Sequence, residues 1–288
     1  LSTGLRAFSL AFLAMLLFAL EAAFAKAIGQ RIDLAQIGVI RSVIQFAFLA
    51  ALLKRGFAAS FRTERPGMHL TRGLLSVTGL AAYFYIYAHL PMATATVLSF
   101  SGVLFTTMMA QTVLKEAVGW RRWSATIIGF CGILIVVRPG SQPLDFAVFI
   151  GIYFALNGAG INIATKGLTR TESTVTIMAW IAAITLIVAL PISAFTFAMP
   201  SAYNFWLMVG IGVTGTIGQY ASVTAYRLVD VSAIAPVLYF RIVIAAAIGY
   251  FVFSEVLDAA TIIGSAIVTL SALYITIRES HLARGREV

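Results

Sequence analysis

The sequence predicts an all-α integral membrane protein with ten transmembrane helices arranged as two inverted five-helix repeats. Two observations carry this. Ten stretches, each roughly 17 to 25 residues long and nearly free of charge, follow one another with short polar breaks. A helix needs about 20 apolar residues to cross about 30 Å of hydrocarbon. The ten also come as two sets of five. Phe18-Ala19-Leu20-Glu21-x-Ala23 recurs as Phe154-Ala155-Leu156-Asn157-x-Ala159. Tyr87-x-x-Leu90-Pro91-Met92-Ala93 leads to Lys115-Glu116, as Tyr226-x-x-Val229-Asp230-Val231-Ser232 leads to Ser254-Glu255. Because five is odd, the two copies enter the membrane from opposite sides.

The spans run in order as follows. The first, 7–28, follows Arg6 and is separated by Arg31 from the second, 33–53. A longer loop with Lys54, Arg55, Arg62 and Arg65 precedes the third, 70–90, which has Arg72 just inside. Pro91 divides it from the fourth, 92–114; Lys115, Glu116, Arg121 and Arg122 stand between that span and the core of the fifth, 122–138. The sixth, 146–168, ends near Lys166 and Arg170, and the seventh and eighth are 173–198 and 204–227. Asp230 leads into the ninth, 231–253, and Glu255 follows it; the tenth is 259–277. With the N-terminus inside, the basic residues of the loops, tails and span ends fall on the cytoplasmic face except Arg31 and Arg138. Cytoplasmic loops carry the Lys and Arg excess, so both termini are expected to be cytoplasmic. The expected units are a first repeat, 1–138, a second, 146–277, and a cytoplasmic tail, 278–288.

Composition agrees. The chain of 288 residues is 60% hydrophobic and 11% charged, against about 25% charged for a soluble domain. The net charge of +9 is explained by the one-sided loops, so no nucleic-acid partner is expected; the lipid bilayer is the surrounding partner. The lone Cys131 excludes an internal disulfide and any cysteine-based metal site. Arg6, the apolar run 7–20 and Ala23-Phe24-Ala25 imitate a cleavable secretory signal. The segment matches an internal span, so it is expected to be retained.

The repeat landmarks resemble the drug/metabolite transporter superfamily, specifically its EamA-like ten-helix exporters. There each half carries a fourth helix ending in glutamate and a fifth with a spaced glycine. Here the first half reads Leu114-Lys115-Glu116 and then Gly129-x-x-Gly132; the second reads Phe253-Ser254-Glu255 and then Gly264. The proline of the fourth helix appears as Pro236, whereas the aligned position in the first half is Val97, a departure. The first four spans look most like the amino-acid exporters of the YddG kind. The resemblance implies a central cavity walled by the first four helices of each half, with the fifth of each half packed outside. It implies an inner (plasma) membrane carrier acting by alternating access that exports amino acids, aromatic and other neutral ones included. The alternative is a carrier of another metabolite such as a vitamin, nucleoside or drug. No cofactor is implied, and the chain is expected to act as a monomer on a small-molecule substrate.

The candidate substrate-binding residues are the polar groups buried within the spans: Glu21, Arg41, Tyr83, Asn157, Tyr220, Tyr239 and Arg241. Glu21 and Arg41 lie about seven positions from the outer ends of adjacent antiparallel spans, or about 10 Å at 1.5 Å rise. They are thus at one depth. An ionised group so deep needs a partner or water, which leaves a structural ion pair or a pair meeting a zwitterionic substrate. Lys26 is nearer the outer edge and is expected to snorkel. Asn157 and Asn162 occupy the repeat positions of Glu21 and Lys26; Asn157 serves either as interhelical glue or as cavity wall. Arg241 sits at the middle of the ninth span, and its repeat position is Gly102. It meets either a substrate carboxylate or backbone carbonyls. Tyr83, Tyr220 and Tyr239 lie deeper than Tyr87 and Tyr226, which fit an interfacial aromatic belt. Gly210-x-Gly212-x-x-Gly215 formally matches a dinucleotide fingerprint, but no strand precedes it, and close helix packing explains it. His69 and His89 flank the third span too far apart for one metal, and no metal site is expected. Paired His/Asp or Ser/His groups at one depth, which an intramembrane enzyme would need, are not found, so no enzymatic activity is expected.

Overall fold

The computed structural model describes residues 3–29, 33–53, 57–102, 104–105, 108–109, 120–137, 146–168, 171–228, 231–256 and 258–284. Among them are ten α-helices and one short 3-10 helix, Phe57–Phe61. The α-helices are α1 (Thr3–Ile28), α2 (Leu34–Leu53), α3 (Pro66–His89), α4 (Met92–Phe100), α5 (Trp120–Val137), α6 (Phe146–Leu168), α7 (Thr174–Thr196), α8 (Ala202–Leu228), α9 (Val231–Phe253) and α10 (Ala259–Arg284). Glu116, Lys115, Asp230 and the bases Lys54, Arg55, Arg138 and Arg170 lie outside the described residues, as do the side chains of Tyr239 and Pro236.

Local chemistry sets the helix ends. Pro66 opens α3 at its first turn, where a missing N–H costs nothing. Leu90, ahead of Pro91, is extended and separates α3 from α4. Ser173 caps α7 by accepting the Thr176 N–H at 3.0 Å, and Asp258 caps α10 through the Thr261 N–H at 2.8 Å. α3 begins four residues before the expected span because Pro66 starts a helical turn whose Gly67 and His69 add little hydropathy, so a hydropathy reading does not register it.

Leu5–Ile28, Leu34–Leu53, Phe146–Thr165 and Thr174–Thr196 are long and apolar enough to cross a membrane by length and composition. Large apolar side chains such as Ile187, Phe195, Trp206 and Phe251 point outward. In water they would form an aggregating surface; in hydrocarbon they face their own kind.

The helices pack in pairs that recur between the halves. α1 lies on α8 as α6 lies on α3, α1 on α9 as α6 on α4, and α2 on α8 as α7 on α3. α2, α4 and α5 pack on α7, α9 and α10 respectively. α1 additionally packs on α3. The glycine run of α8 explains the α1–α8 seam. A Cβ on Gly210 would come within 2.8 Å of the Phe24 ring, and one on Gly218 within 3.1 Å of the Phe18 ring. Close packing is therefore the role of this run, as the sequence indicated.

The glycines singled out in the fifth helix of each half meet one another. A Cβ on Gly132 would stand 3.0 Å from the Gly264 carbonyl oxygen, and one on Gly264 only 2.7 Å from that of Gly132. Replacing Gly132 with Leu should force α5 and α10 apart and cost about 1–3 kcal/mol. Melting in detergent measures it, with Gly158→Ala as control, since a Cβ at Gly158 meets nothing within 4 Å. Equal tolerance of the two changes would show that the seam is loose.

Candidate functional site

Glu21 and Arg41 form an ion pair. Glu21 is 3% exposed, and its carboxylate accepts from Arg41 Nη1. α8 crosses directly over the pair: a Cβ on Gly215 would lie 2.6 Å from Glu21 Oε1 and 3.0 Å from Arg41 Cζ. Only a glycine there lets the backbone of α8 cover two charged groups. The matched depth read from sequence thus corresponds to a contact, and the pair sits where α1, α2 and α8 meet.

A second group adjoins it. Arg241 of α9 donates from Nη2 to the Tyr87 hydroxyl at 3.3 Å and stands 5.6 Å over the Phe18 ring. Tyr87 is fully buried and shares a 2.9 Å hydrogen bond with Thr96. Its assignment to an interfacial belt is therefore corrected: the hydroxyl bridges α3, α4 and α9. Tyr83 packs on Tyr87 with ring centroids 4.7 Å apart and on Phe154 at 5.9 Å. The Tyr83 hydroxyl and Arg241 Nε are buried without a hydrogen-bond partner. Among the described residues, the carboxylate within electrostatic reach of Arg241 is Glu21.

Asn157 reaches α3 rather than Glu21. Its Nδ2 donates to Thr78 at 3.0 Å and to Tyr153 at 3.3 Å, while its Oδ1 is buried without a partner against Gly79. It acts as glue between α3 and α6 and leaves one free acceptor. Tyr220 lies apart, edge-on to Phe48 at 5.5 Å beside Leu49 and Met178. Glu21, Arg41, Tyr83 and Arg241 are thus brought together, Asn157 borders them through Phe154 one turn away, and Tyr220 is not among them.

Two clusters went unread in the sequence. Lys26 does not snorkel. Its Nζ pairs with Glu255 Oε1 at 2.7 Å and donates to the Leu90 carbonyl at 3.0 Å, while Glu255 Oε2 accepts the Met92 N–H at 2.8 Å. At the other end of α3, roughly 30 Å away by helical rise, Glu172 accepts from Thr63 at 2.7 Å and His69 stacks on Trp180 at 5.2 Å. His69 stands just before the third span; burial lowers its pKa, and the nearby Glu172 opposes that shift. Arg72, placed just inside the third span and on its cytoplasmic side, is buried between α3 and α6 and donates to Thr165 at 2.7 Å.

An open groove of about 380 Å³ lies between α5 and α10, lined by Trp120, Ser124, Ala125, Ile128, Leu270, Ser271 and Tyr274. It shares no residue with the charged cluster and is mostly apolar, as a surface against lipid tails would be.

Residues 5–138 match the EamA-like transporter family. An S-adenosylmethionine uptake transporter of Rickettsia felis is 32% identical over 220 residues, covering 76% of this chain and 75% of the relative. A riboflavin transporter of Vibrio cholerae is 28% identical, covering 86% of this chain and 84% of that one. A pseudopaline exporter of Pseudomonas aeruginosa is 28% identical, covering 92% and 93%. A solved crystal structure superposes with a TM-score of 0.66 at 17% identity over 96% of this chain and 98% of that one, which shows a shared fold. Helical architecture, apolar helix lengths and these relatives together establish that the chain belongs to the EamA-like transporter family, as a multi-pass membrane protein that transports small metabolites.

Proposed function

We propose that this protein is an inner-membrane carrier built as an inverted repeat, 1–138 and 146–277, that moves a metabolite with a flat ring and a polar end by alternating access. The observation that carries the reading is the central cluster itself. Phe18, Tyr83, Tyr87 and Phe154 present aromatic faces from α1, α3 and α6 beside the charges of Glu21, Arg41 and Arg241. Residues so far apart in sequence converge between the two halves, where carriers of this build hold substrate near the midplane. The recurrence of helix pairs between the halves supports the repeat, and the asymmetry of basic residues supports cytoplasmic termini.

The relatives named above are transporters of S-adenosylmethionine, riboflavin or pseudopaline, and none of those three solutes is one of the plain neutral amino acids expected from the sequence. S-adenosylmethionine and riboflavin each join a heteroaromatic ring to a polar chain, which suits aromatic walls beside charged groups. The reading as a carrier of such a metabolite is therefore preferred to amino-acid export of the YddG kind, and direction is left to experiment. The seven side chains singled out in the sequence divide accordingly. Glu21, Arg41, Tyr83 and Arg241 are the proposed contacts, Asn157 offers its free Oδ1, and Tyr220, packed on Phe48, is not one of them; the Tyr239 side chain lies outside the described residues.

Purified protein in liposomes, given labelled S-adenosylmethionine, riboflavin and a panel of neutral amino acids, tests this. Flux of at least one ring-bearing metabolite is expected, and Asn157→Ala should cut it several-fold with insertion intact, as loss of one hydrogen-bonding group would. Flux of amino acids alone would restore the amino-acid reading. Absence of flux for every organic solute offered would reject the proposal.

A further inference from the structure

We infer that Arg241 and Tyr83 form a seat for a carboxylate on the transported solute, an inference that rests on the carrier reading above. Among the described residues, three charged side chains meet at this centre. Glu21 is committed through Oε1 to Arg41, so Arg241 stands as a second cation against a single carboxylate. The cluster therefore carries one excess positive charge inside a region where an isolated charge is costly. A carboxylate on the solute, set against Arg241, would balance it locally whatever charges the rest of the solute bears. A phosphate monoester dianion would overshoot and leave the reverse imbalance, an amide would leave the excess in place, and an ammonium would add to it.

Both donor residues adjoin Tyr87, whose hydroxyl accepts from Arg241 and whose ring lies against that of Tyr83. A guanidinium offers five N–H donors in a planar fork and binds a carboxylate through two parallel hydrogen bonds. Arg241 spends Nη2 on the Tyr87 hydroxyl, at a long 3.3 Å, and its Nε is buried without a partner. Tyr83 is 8% exposed, and its hydroxyl likewise lacks a partner. The Phe18 ring lies 5.6 Å from the guanidinium carbon. Tyr87, held by Thr96, anchors the guanidinium through Nη2. A structural role would leave these donors satisfied by protein, because unsatisfied buried donors cost stability.

Matched pairs of solutes in proteoliposomes give the test: S-adenosylmethionine against decarboxylated S-adenosylmethionine, and L-tyrosine against tyramine, with riboflavin as a solute lacking a carboxylate. The acid of a transported pair should move about tenfold faster or more, the range expected for charge-assisted hydrogen bonds. Arg241→Gln should bring that ratio close to one, and Tyr83→Phe should lower it in part. Arg241→Lys keeps the charge without the fork. It is the second variant if Arg241→Gln does not insert, and it should also reduce the ratio. Equal flux of both members of a transported pair, or a preference that survives both Arg241 changes, overturns the carboxylate seat alone. Flux of riboflavin with none for either acid overturns it too and leaves the carrier reading intact. Silence of every solute rejects both.

Discussion

Glu21→Gln should destabilise the protein more than Arg41→Met, and more than the two changes combined. The carboxylate is nearly inaccessible, is covered by the backbone of α8 at Gly215, and faces two guanidinium groups. Removing it strands Arg41 and Arg241 together in a low-dielectric interior, where breaking a buried pair costs about 3–5 kcal/mol. Removing Arg41 is milder, because Arg241 remains within electrostatic reach of Glu21. The double change removes one charge of each sign and should cost less than Glu21→Gln, even though the excess positive charge on Arg241 persists. Thermal unfolding in detergent of the three variants decides this. Strict additivity would mean that Glu21 and Arg41 do not interact, and a larger loss for Arg41→Met would mean that Arg241 does not share the carboxylate.

The sequence made the helices and this pair readable because both follow from one coordinate, depth in the bilayer. Apolar length fixes where a helix enters and leaves, so α6 and α9 fall on the expected spans 146–168 and 231–253. Counting residues from the span ends placed Glu21 and Arg41 level with each other. Depth does not say which way a side chain faces around its helix. Tyr87 was therefore assigned to the interface by its distance from the end of α3, although it shares a helical face with Tyr83 and turns fully inward. Lys26 failed for a related reason: its partner Glu255 belongs to the other half of the chain, and nothing in its own helix announces a carboxylate there. Tyr220 shows the converse, since depth alone made it a central candidate while the azimuth of α8 turns it toward Phe48. Arg241 was recognisable as unusual because its repeat position is a glycine, yet its neighbours come from α1 and α3 and required the fold.

Glu255→Gln should loosen the end of the bundle where α1, α3 and α9 finish. One residue there ties three elements: its carboxylate pairs through Oε1 with Lys26 of α1 and accepts the first N–H of α4 through Oε2, while its backbone N–H donates to the Gly249 carbonyl of α9 at 2.9 Å. Ser254, at φ +55°, turns the chain so that the side chain comes back over Gly249, where a Cβ would lie 2.6 Å from Oε2. Lys26 completes the tie through the Leu90 carbonyl. On the proposed alternating-access reading, helices part at this end, and these bonds would resist the parting. Glutamine can still accept from Met92 but turns an N–H₂ group or a weaker neutral acceptor toward Lys26. The loss should be about 2–3 kcal/mol, as for hydrogen bonds to charged groups. Accessibility is the sharper measurement. In a Cys131→Ser background, Leu90→Cys should react with a membrane-impermeant maleimide several-fold faster once Glu255→Gln is added, and Lys26→Met should act in the same direction. Unchanged labelling in both variants, with transport also unchanged, would mean that the tie is a static brace and that the bundle opens elsewhere.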